Sequence, residues 1–571
     1  MSHPQSIFHH TTLTPGSLLH HRRITVSKTT LHTQLKRLRE TGRYDCFKLQ
    51  WHEIYADKSM WPVPFHLFWD SDIAKWIEGA CYFLHDELDG EIDAAVRELV
   101  DMIRAAQQDD GYLNVHYTVV EPGKRWTNLQ DMHELYNAGH LIEAALAHHQ
   151  YYKNNLLLEP IEKYVALIHR TFGPGENQLH GYPGHPEIEL ALFRLYQTTG
   201  NKDAYDLSRY FIEERGNRKG QHGQHYFEWE SKQRGQSLYH RPDSYPEHGS
   251  HWYCQAHQPI LEQQTVEGHS VRAMYLLTAV ADMLCIDKSG SQSLSSSSRW
   301  KDAVYRLWDN MVTKKMYLTG GIGAIKQWEG FGRDYFLPQS TDEGGCYAET
   351  CASIAVMMLA ERLLHIELDA KFGDVMELCL YNNVMTAMSL DGKAFTIPGW
   401  SRDQFTLEPK PSEGSVHSQK GYLTLGPAYT AANPVFSLTI GNFTPRYIAP
   451  HPYTNQHTLT LARGPLVYCI EDSDNAWEDN HFKDVGLKAG STIVEERLCI
   501  SGTDEEYIAL RTSCWWRSSK YDETVSTPGF VVEGKGSGFD DEREGVFVPY
   551  YLRANRGGNG HMKVGLHHVQ G

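Results

Sequence analysis

From about residue 70 to residue 390 the chain repeats one pattern: amphipathic stretches joined by short links, with no strand-like run between them. Asp70–His85 (DSDIAKWIEGACYFLH) and Gly90–Gln107 (GEIDAAVRELVDMIRAAQ) set apolar residues at i, i+3, i+4 and i+7, the spacing of one helix face. The same reading covers 131–152, 159–172, 185–199, 202–215, 265–286, 298–312, 347–368 and 372–390, and Thr199-Gly200 supplies a helix stop. A helix with one apolar stripe must bury it. Successive helices of this kind bury theirs on one another as stacked hairpins. A closed ring is expected rather than an open solenoid. Some links are long and rich in His, Trp and Tyr (Trp126, His222, His225, Tyr226, Trp229, His251, Trp252, Tyr253), as loops meeting round a central opening would be.

After about residue 395 the texture changes. Short β-branched and aromatic runs at 422–425, 435–440, 458–462, 466–470, 493–500, 507–511, 530–532 and 546–552 alternate with Gly, Pro, Asn and Asp. This predicts an antiparallel β-sandwich. The expected organisation is residues 1–395 helical and 396–571 β, consistent with a length of 571 residues being too great for one core. Ser289–Arg299 (SGSQSLSSSSR) reads as a low-complexity loop.

A net charge of −17 repels phosphate backbones and excludes nucleic acid as the expected partner. The first residues (MSHPQSIFHHTTLTPGS) lack the apolar core of a secretory signal, and no run of about 18 apolar residues occurs, so no membrane span is expected. The ten cysteines are scattered with no CxxC pair, the usage of reduced thiols, and a cytoplasmic location is expected. Aromatic residues reach 12%, and aromatic faces pack well on the C–H faces of sugars.

His133-Glu134 invites a metalloprotease reading, but position 137 is Asn where the second ligand would stand. Three histidines, His140, His185 and His269, each follow a glycine at or near the start of a long helix, which places them on one rim of a ring. Glu329 lies in a Gly-rich, aromatic loop, where partial desolvation would raise a carboxyl pKa and suit it as a general acid. Glu349 and Cys351 flank a helix start as Glu-x-Cys, half of a zinc ligand set.

The segments DGYLNVHYT (110–118), HELYNAGHLIEAA (133–145), GHPEIELAL (184–192), QQTVEGHSVRAMYL (263–276), LTGGIGA, EGFGRDYFLP, YAETCAS (347–353), LYNNVMTAMSLDGKAF (380–395), ARGPLVYC (462–469) and VPYYLRAN (548–555) resemble glycoside hydrolase family 127, the β-L-arabinofuranosidases. The resemblance runs from roughly residue 30 onward. It implies an (α/α)6 toroid followed by β-sandwich domains and a glycan substrate containing arabinofuranose. Glu329 then matches the acid/base glutamate, and His140, His185 and His269 match sugar-holding histidines. Glu349 and Cys351 match two zinc ligands; a homodimer is compatible with this reading.

The sequence departs from the family at one place. The family's nucleophile is a zinc-bound cysteine in a Cys-Cys-Pro segment, with its neighbour as the fourth ligand, and no Cys-Cys exists here. SLDGKAF (389–395) runs straight into TIPGWS (396–401), which resembles a sandwich strand far downstream. The chain is therefore expected to lack the nucleophile segment, the last toroid helix and the first sandwich strands, to bind zinc poorly and to hydrolyse little. Two further readings remain open: a non-catalytic carbohydrate-binding protein, and a metal-independent toroid epimerase or lyase, against which the Glu-Thr-Cys remnant argues.

Overall fold

The computed structural model describes residues 11–57, 64–236, 251–289, 294–339, 346–393, 405–408, 416–419, 422–425, 437–440, 443–477, 480–503, 505–517 and 539–570. Contacts gather the chain into two compact units, residues 1–313 with 325–331, and residues 314–324 with 332–571.

The first unit is helical. In chain order it holds α1 (Leu18–Thr25), α2 (Leu31–Glu40), α3 (Trp69–Leu84), α4 (Gly90–Ala106), α5 (Glu134–Tyr152), α6 (Leu158–Thr171), α7 (Ile188–Thr199), α8 (Lys202–Glu214), α9 (Tyr226–Gln233), α10 (Ser270–Ser289) and α11 (Leu294–Lys314). Helices α3, α5, α7 and α10 pack one on the next as an inner series, while α4, α6 and α8 back them. Burial explains the layering. α4 buries one stripe, Ile92, Val96, Leu99, Ile103 and Ala106, and keeps a charged outer face. α5 is buried nearly all round from Glu134 to His148, the mark of a helix enclosed on every side. Side-chain caps fix the outer starts: Asp89 accepts the Glu91 and Ile92 N–H groups, and Asn201 accepts that of Ala204.

The second unit holds α12 (Thr350–Ile366) and α13 (Ala370–Cys379), which pack together, and then strands. These are β1 (Phe405–Glu408), β2 (Val416–Gln419), β3 (Tyr422–Leu425), β4 (Ser437–Ile440), β5 (Pro445–Ile448), β6 (Thr458–Arg463), β7 (Leu466–Glu471), β8 (Val485–Leu487), β9 (Val494–Cys499), β10 (Glu506–Arg517), β11 (Phe539–Pro549), β12 (Met562–Lys563) and β13 (Leu566–His568). β1 pairs with β4 and β2 with β3. The main sheet runs β7-β11-β10-β8-β13-β6, and β6 pairs back onto β7, so six strands close a ring. Alternate residues of these strands, among them Leu459, Leu461, Tyr468, Ile470, Leu510, Cys514, Phe547 and Leu566, fill its core.

The architecture is the one expected, helices followed by a β region, with differences in detail. The Ser289–Arg299 loop is shorter than expected: α10 runs to Ser289 and α11 starts at Leu294, so the serine run enters helix despite its weak propensity. α13 stops at Cys379, passes into a wide turn over Leu380–Val384, and does not reach Leu390. α1, α2 and α9 are additional to the expected helices. The wide turn that follows α13 ends at Val384, and the first described strand starts at Phe405. The expected junction at Phe395–Thr396 and the expected strand at 530–532 lie outside the described residues.

Candidate active site

The inner helices of the first unit bring their chemistry together at their N-terminal ends. α5 opens after His133, whose backbone lies in the left-handed region at φ 53°. His133, Tyr136 and His140 follow at i, i+3 and i+7, so one face of the first two turns carries all three. Ring centroids are 5.5 Å apart for His133 and Tyr136, and 4.6 Å for Tyr136 and His140. His185, just ahead of α7, sits 4.4 Å from Tyr136 and 5.6 Å from His133. His269, immediately before α10, is 5.5 Å from His185. Its Nε2 lies 3.0 Å from Glu329 Oε2. Glu329, His269, His185 and His140 thus belong to one group of contacts, joined through Tyr136.

The hydrogen bonds fix two tautomers. His269 Nδ1 accepts the N–H groups of Val271 at 3.2 Å and Arg272 at 3.4 Å, first-turn donors of α10. Its proton therefore sits on Nε2 and is donated to Glu329. His185 Nδ1 is 2.7 Å from the Pro186 carbonyl, which can only accept, so His185 keeps a lone pair on Nε2. Burial, with Arg272 and His269 nearby, holds His185 well below the usual histidine range; burial and Lys75 do the same for His140. Both rings are neutral at pH 7. A neutral imidazole acceptor such as His185 suits a sugar hydroxyl, which can donate to it.

Glu329 is set by its backbone. Its carbonyl accepts from the Ser270 N–H at 3.1 Å and the Ser270 hydroxyl at 2.8 Å. Ile325 and Gly330 exchange backbone bonds of 3.0 and 3.1 Å, closing the loop. Glu329 itself adopts φ 55°, a left-handed conformation that costs a non-glycine residue of order 1 kcal/mol and that these bonds hold. The approach needs glycine: a Cβ on Gly330 would lie 2.2 Å from the Gly268 carbonyl oxygen. The Glu329 side chain is 42% exposed, so the expected partial desolvation gives way to an open carboxylate steered by His269.

Glu134 is no metal-site base. It is buried, accepts from the Tyr112 hydroxyl and from the Trp126 N–H at 2.9 Å, and burial pushes its carboxyl up to about 8. The long-loop aromatics mostly pack on one another: His225 stacks on His251 at 4.1 Å and Trp252 on His257 at 4.0 Å, while Tyr253 is in ring contact with His269, at 5.6 Å. Residues the sequence reading passed over also join the site. Tyr136 and His133 share the helical register of His140, a signal available in HELYNAGH. Lys75 of α3 donates to the Tyr136 hydroxyl at 3.3 Å.

In the second unit, Glu349 stands at the start of α12 and accepts from Tyr347 Oη at 2.7 Å and from Cys351 Sγ at 3.0 Å. The pair is adjacent, as two ligands of one ion would be. A zinc site needs three or four protein ligands, and among the described residues no group of three or more His, Cys, Asp or Glu is arranged to hold a metal. The described residues therefore do not make up the zinc site that the resemblance implies. Among the described residues no disulfide joins any of the ten cysteines. Among the described residues no helix is long and apolar enough to cross a membrane.

The model of the β-L-arabinofuranosidase GH127 catalytic domain matches residues 11–398, and that of the glycoside hydrolase family 127 C-terminal domain matches 445–567. A non-reducing end β-L-arabinofuranosidase from Bifidobacterium longum subsp. longum is 40% identical over 333 residues, which are 58% of this chain and 48% of that enzyme. The chain thus matches about half the length of this curated relative. The crystal structure of a GH127 β-L-arabinofuranosidase from Geobacillus stearothermophilus T6 superposes with a TM-score of 0.80 at 27% identity, covering 98% of this chain and all of that one. A GH127 β-arabinofuranosidase shares the fold at a TM-score of 0.76 and 22% identity, covering 99% of this chain and 98% of its own. These neighbours have the helical toroid with a β domain that the elements above spell out, and the chain belongs to glycoside hydrolase family 127.

Proposed function

We propose that this chain holds a terminal β-L-arabinofuranosyl residue of a glycan between His140, His185 and His269, with Glu329 as the acid/base group. The observation that carries the reading is the 3.0 Å bond from His269 Nε2 to Glu329 Oε2, beside two neutral buried histidines. A retaining glycosidase needs a carboxyl that first protonates the leaving oxygen and then activates water, and an exposed carboxylate with a histidine donor can cycle in that way. A thiolate nucleophile would have to come from elsewhere than a Cys-Cys pair, which the sequence lacks. Glu349 and Cys351 are two of the ligands a zinc ion would use, and two protein ligands hold zinc weakly. Hydrolysis by the chain as written is therefore slow, and cytoplasmic sugar binding is the activity retained. A purely carbohydrate-binding role is the second reading, favoured by the same two-ligand remnant.

The test is to purify the chain, quantify bound zinc, and measure both affinity for methyl β-L-arabinofuranoside and hydrolysis of an aryl β-L-arabinofuranoside. Binding with substoichiometric zinc and little turnover is expected. Stoichiometric zinc with turnover abolished by Glu329→Gln would overturn the impaired reading, and absence of any sugar binding would overturn the whole assignment.

A further inference from the structure

His140 is 5% exposed, and neither of its ring nitrogens makes a hydrogen bond with the described residues. A buried neutral imidazole must still carry its proton on one nitrogen or the other, and that choice decides whether it offers a sugar hydroxyl a donor or a lone pair. The acid nearest at hand is Glu187, the residue before α7, 2% exposed, with Oε1 3.4 Å from His140 Nδ1. That gap is about 0.5 Å longer than a formed hydrogen bond. The local chain is shaped round this carboxyl. A Cβ on Gly139 would fall 2.6 Å from Glu187 Cγ, so the Gly139-His140 pair leaves room for the glutamate beside the histidine.

The charges around Glu187 decide its state. Arg194 is committed to Glu143 at 2.7 Å, and Lys75 donates to Tyr136 with Asp72 3.8 Å away. Glu78 and Glu143 add negative potential at Glu187, against Lys75 and Arg194. Glu187, Glu143 and the partly buried Glu78 thus share two cations. Desolvation first, and Glu143 next, raise the Glu187 carboxyl well above the ordinary range and so favour its protonated form. A protonated carboxyl beside a neutral imidazole has one bond to make: its O–H donates to a ring lone pair.

We propose that Glu187 is a positioning residue, a carboxylic acid whose O–H donates to His140 Nδ1 and fixes His140 as the Nε2–H tautomer. With His185 held as the opposite tautomer by Pro186, the site then offers one histidine donor and one histidine acceptor to adjacent hydroxyls of a furanose. The sugar part of this inference rests on the proposed function; the tautomer part does not.

The experiment is long-range 1H–15N NMR of the full chain labelled with 15N-histidine, the His140 signal being identified by its loss in His140→Phe. The wild type is expected to show the Nε2–H pattern. Glu187→Gln, whose amide N–H can donate to Nδ1, keeps that pattern and keeps affinity for methyl β-L-arabinofuranoside within about threefold, while Glu187→Ala mixes the tautomers and weakens binding about tenfold. An Nδ1–H pattern in the wild type, or an unchanged His140 pattern in folded Glu187→Ala, overturns the proposal. Should Glu187→Ala fail to fold, the wild-type and Glu187→Gln spectra decide it. Loss of sugar binding with the expected tautomers would refute the arabinofuranose reading alone.

Discussion

Arg194→Met tests the interior charge network of the helical unit. The guanidinium of Arg194 on α7 lies 2.7 Å from Glu143 on α5, with side chains 8% and 3% exposed, so the pair ties two inner helices together away from water. Methionine keeps most of the side-chain volume and removes the charge. Glu143 then faces Glu78 and Glu187 without its cation, and an ionised buried carboxylate stripped of its partner costs about 3–5 kcal/mol. The double variant Arg194→Met/Glu143→Gln removes that charge as well. It is expected to recover to within about 1–2 kcal/mol of wild type, since an ion pair and a neutral isosteric pair are often close in stability. Urea unfolding at pH 7.5, followed by far-UV circular dichroism on the wild type, both singles and the double, closes the cycle. A loss below 1 kcal/mol in Arg194→Met, or a double variant no more stable than that single, would refute the reasoning.

Gly139→Ala inserts a methyl 2.6 Å from Glu187 Cγ and 2.8 Å from the Ile188 nitrogen; overpacking outweighs the gain in helix propensity, and urea unfolding should show a net loss of about 1–2 kcal/mol. Glu134, raised to about 8, holds a proton in the fold that the unfolded chain sheds near pH 4, so its contribution is full below that pH and is lost as pH climbs to 8. Glu134→Gln should accordingly lose less stability than wild type between pH 6 and 9, by roughly 2 kcal/mol, read from denaturation midpoints at the two pH values. Leu566→Asp puts a charge into the core of the strand ring, where Leu566 is fully buried opposite Leu459, and should make the β region cleavable under proteolysis conditions that spare the wild type.

The helical layering was legible in the sequence because burial on one stripe writes a period that nothing else produces, as in Ile92, Val96, Leu99 and Ile103. The site histidines were legible through the Gly-His pairs, whose glycines answer to close approaches: Gly139 against Glu187 and Gly268 against Trp252. What the pattern could not carry is long-range. Lys75 meets Tyr136 across 61 residues, and Glu187 meets His140 across helices whose registers no local period specifies. The openness of Glu329 was misjudged for a related reason, since glycines and aromatics around a loop do not say which way it faces. The β strands were found where β-branched and aromatic residues cluster, as in β6 and β7, and missed where the strand is four residues or fewer with little such content, as in β2, β12 and β13.

The six-strand ring has a consequence for how the protein is made. β13 pairs in parallel with β8 and antiparallel with β6, and it follows every other described strand in chain order. No earlier subset of strands can complete the circuit, so β6, β7, β8, β10 and β11 wait on residues 566–568 to be synthesised. During that interval β6 and β8 both present unsatisfied edges, the surfaces on which nascent chains stick to one another. Residues 566–568 thus cover both edges at once, and their arrival ends the exposure.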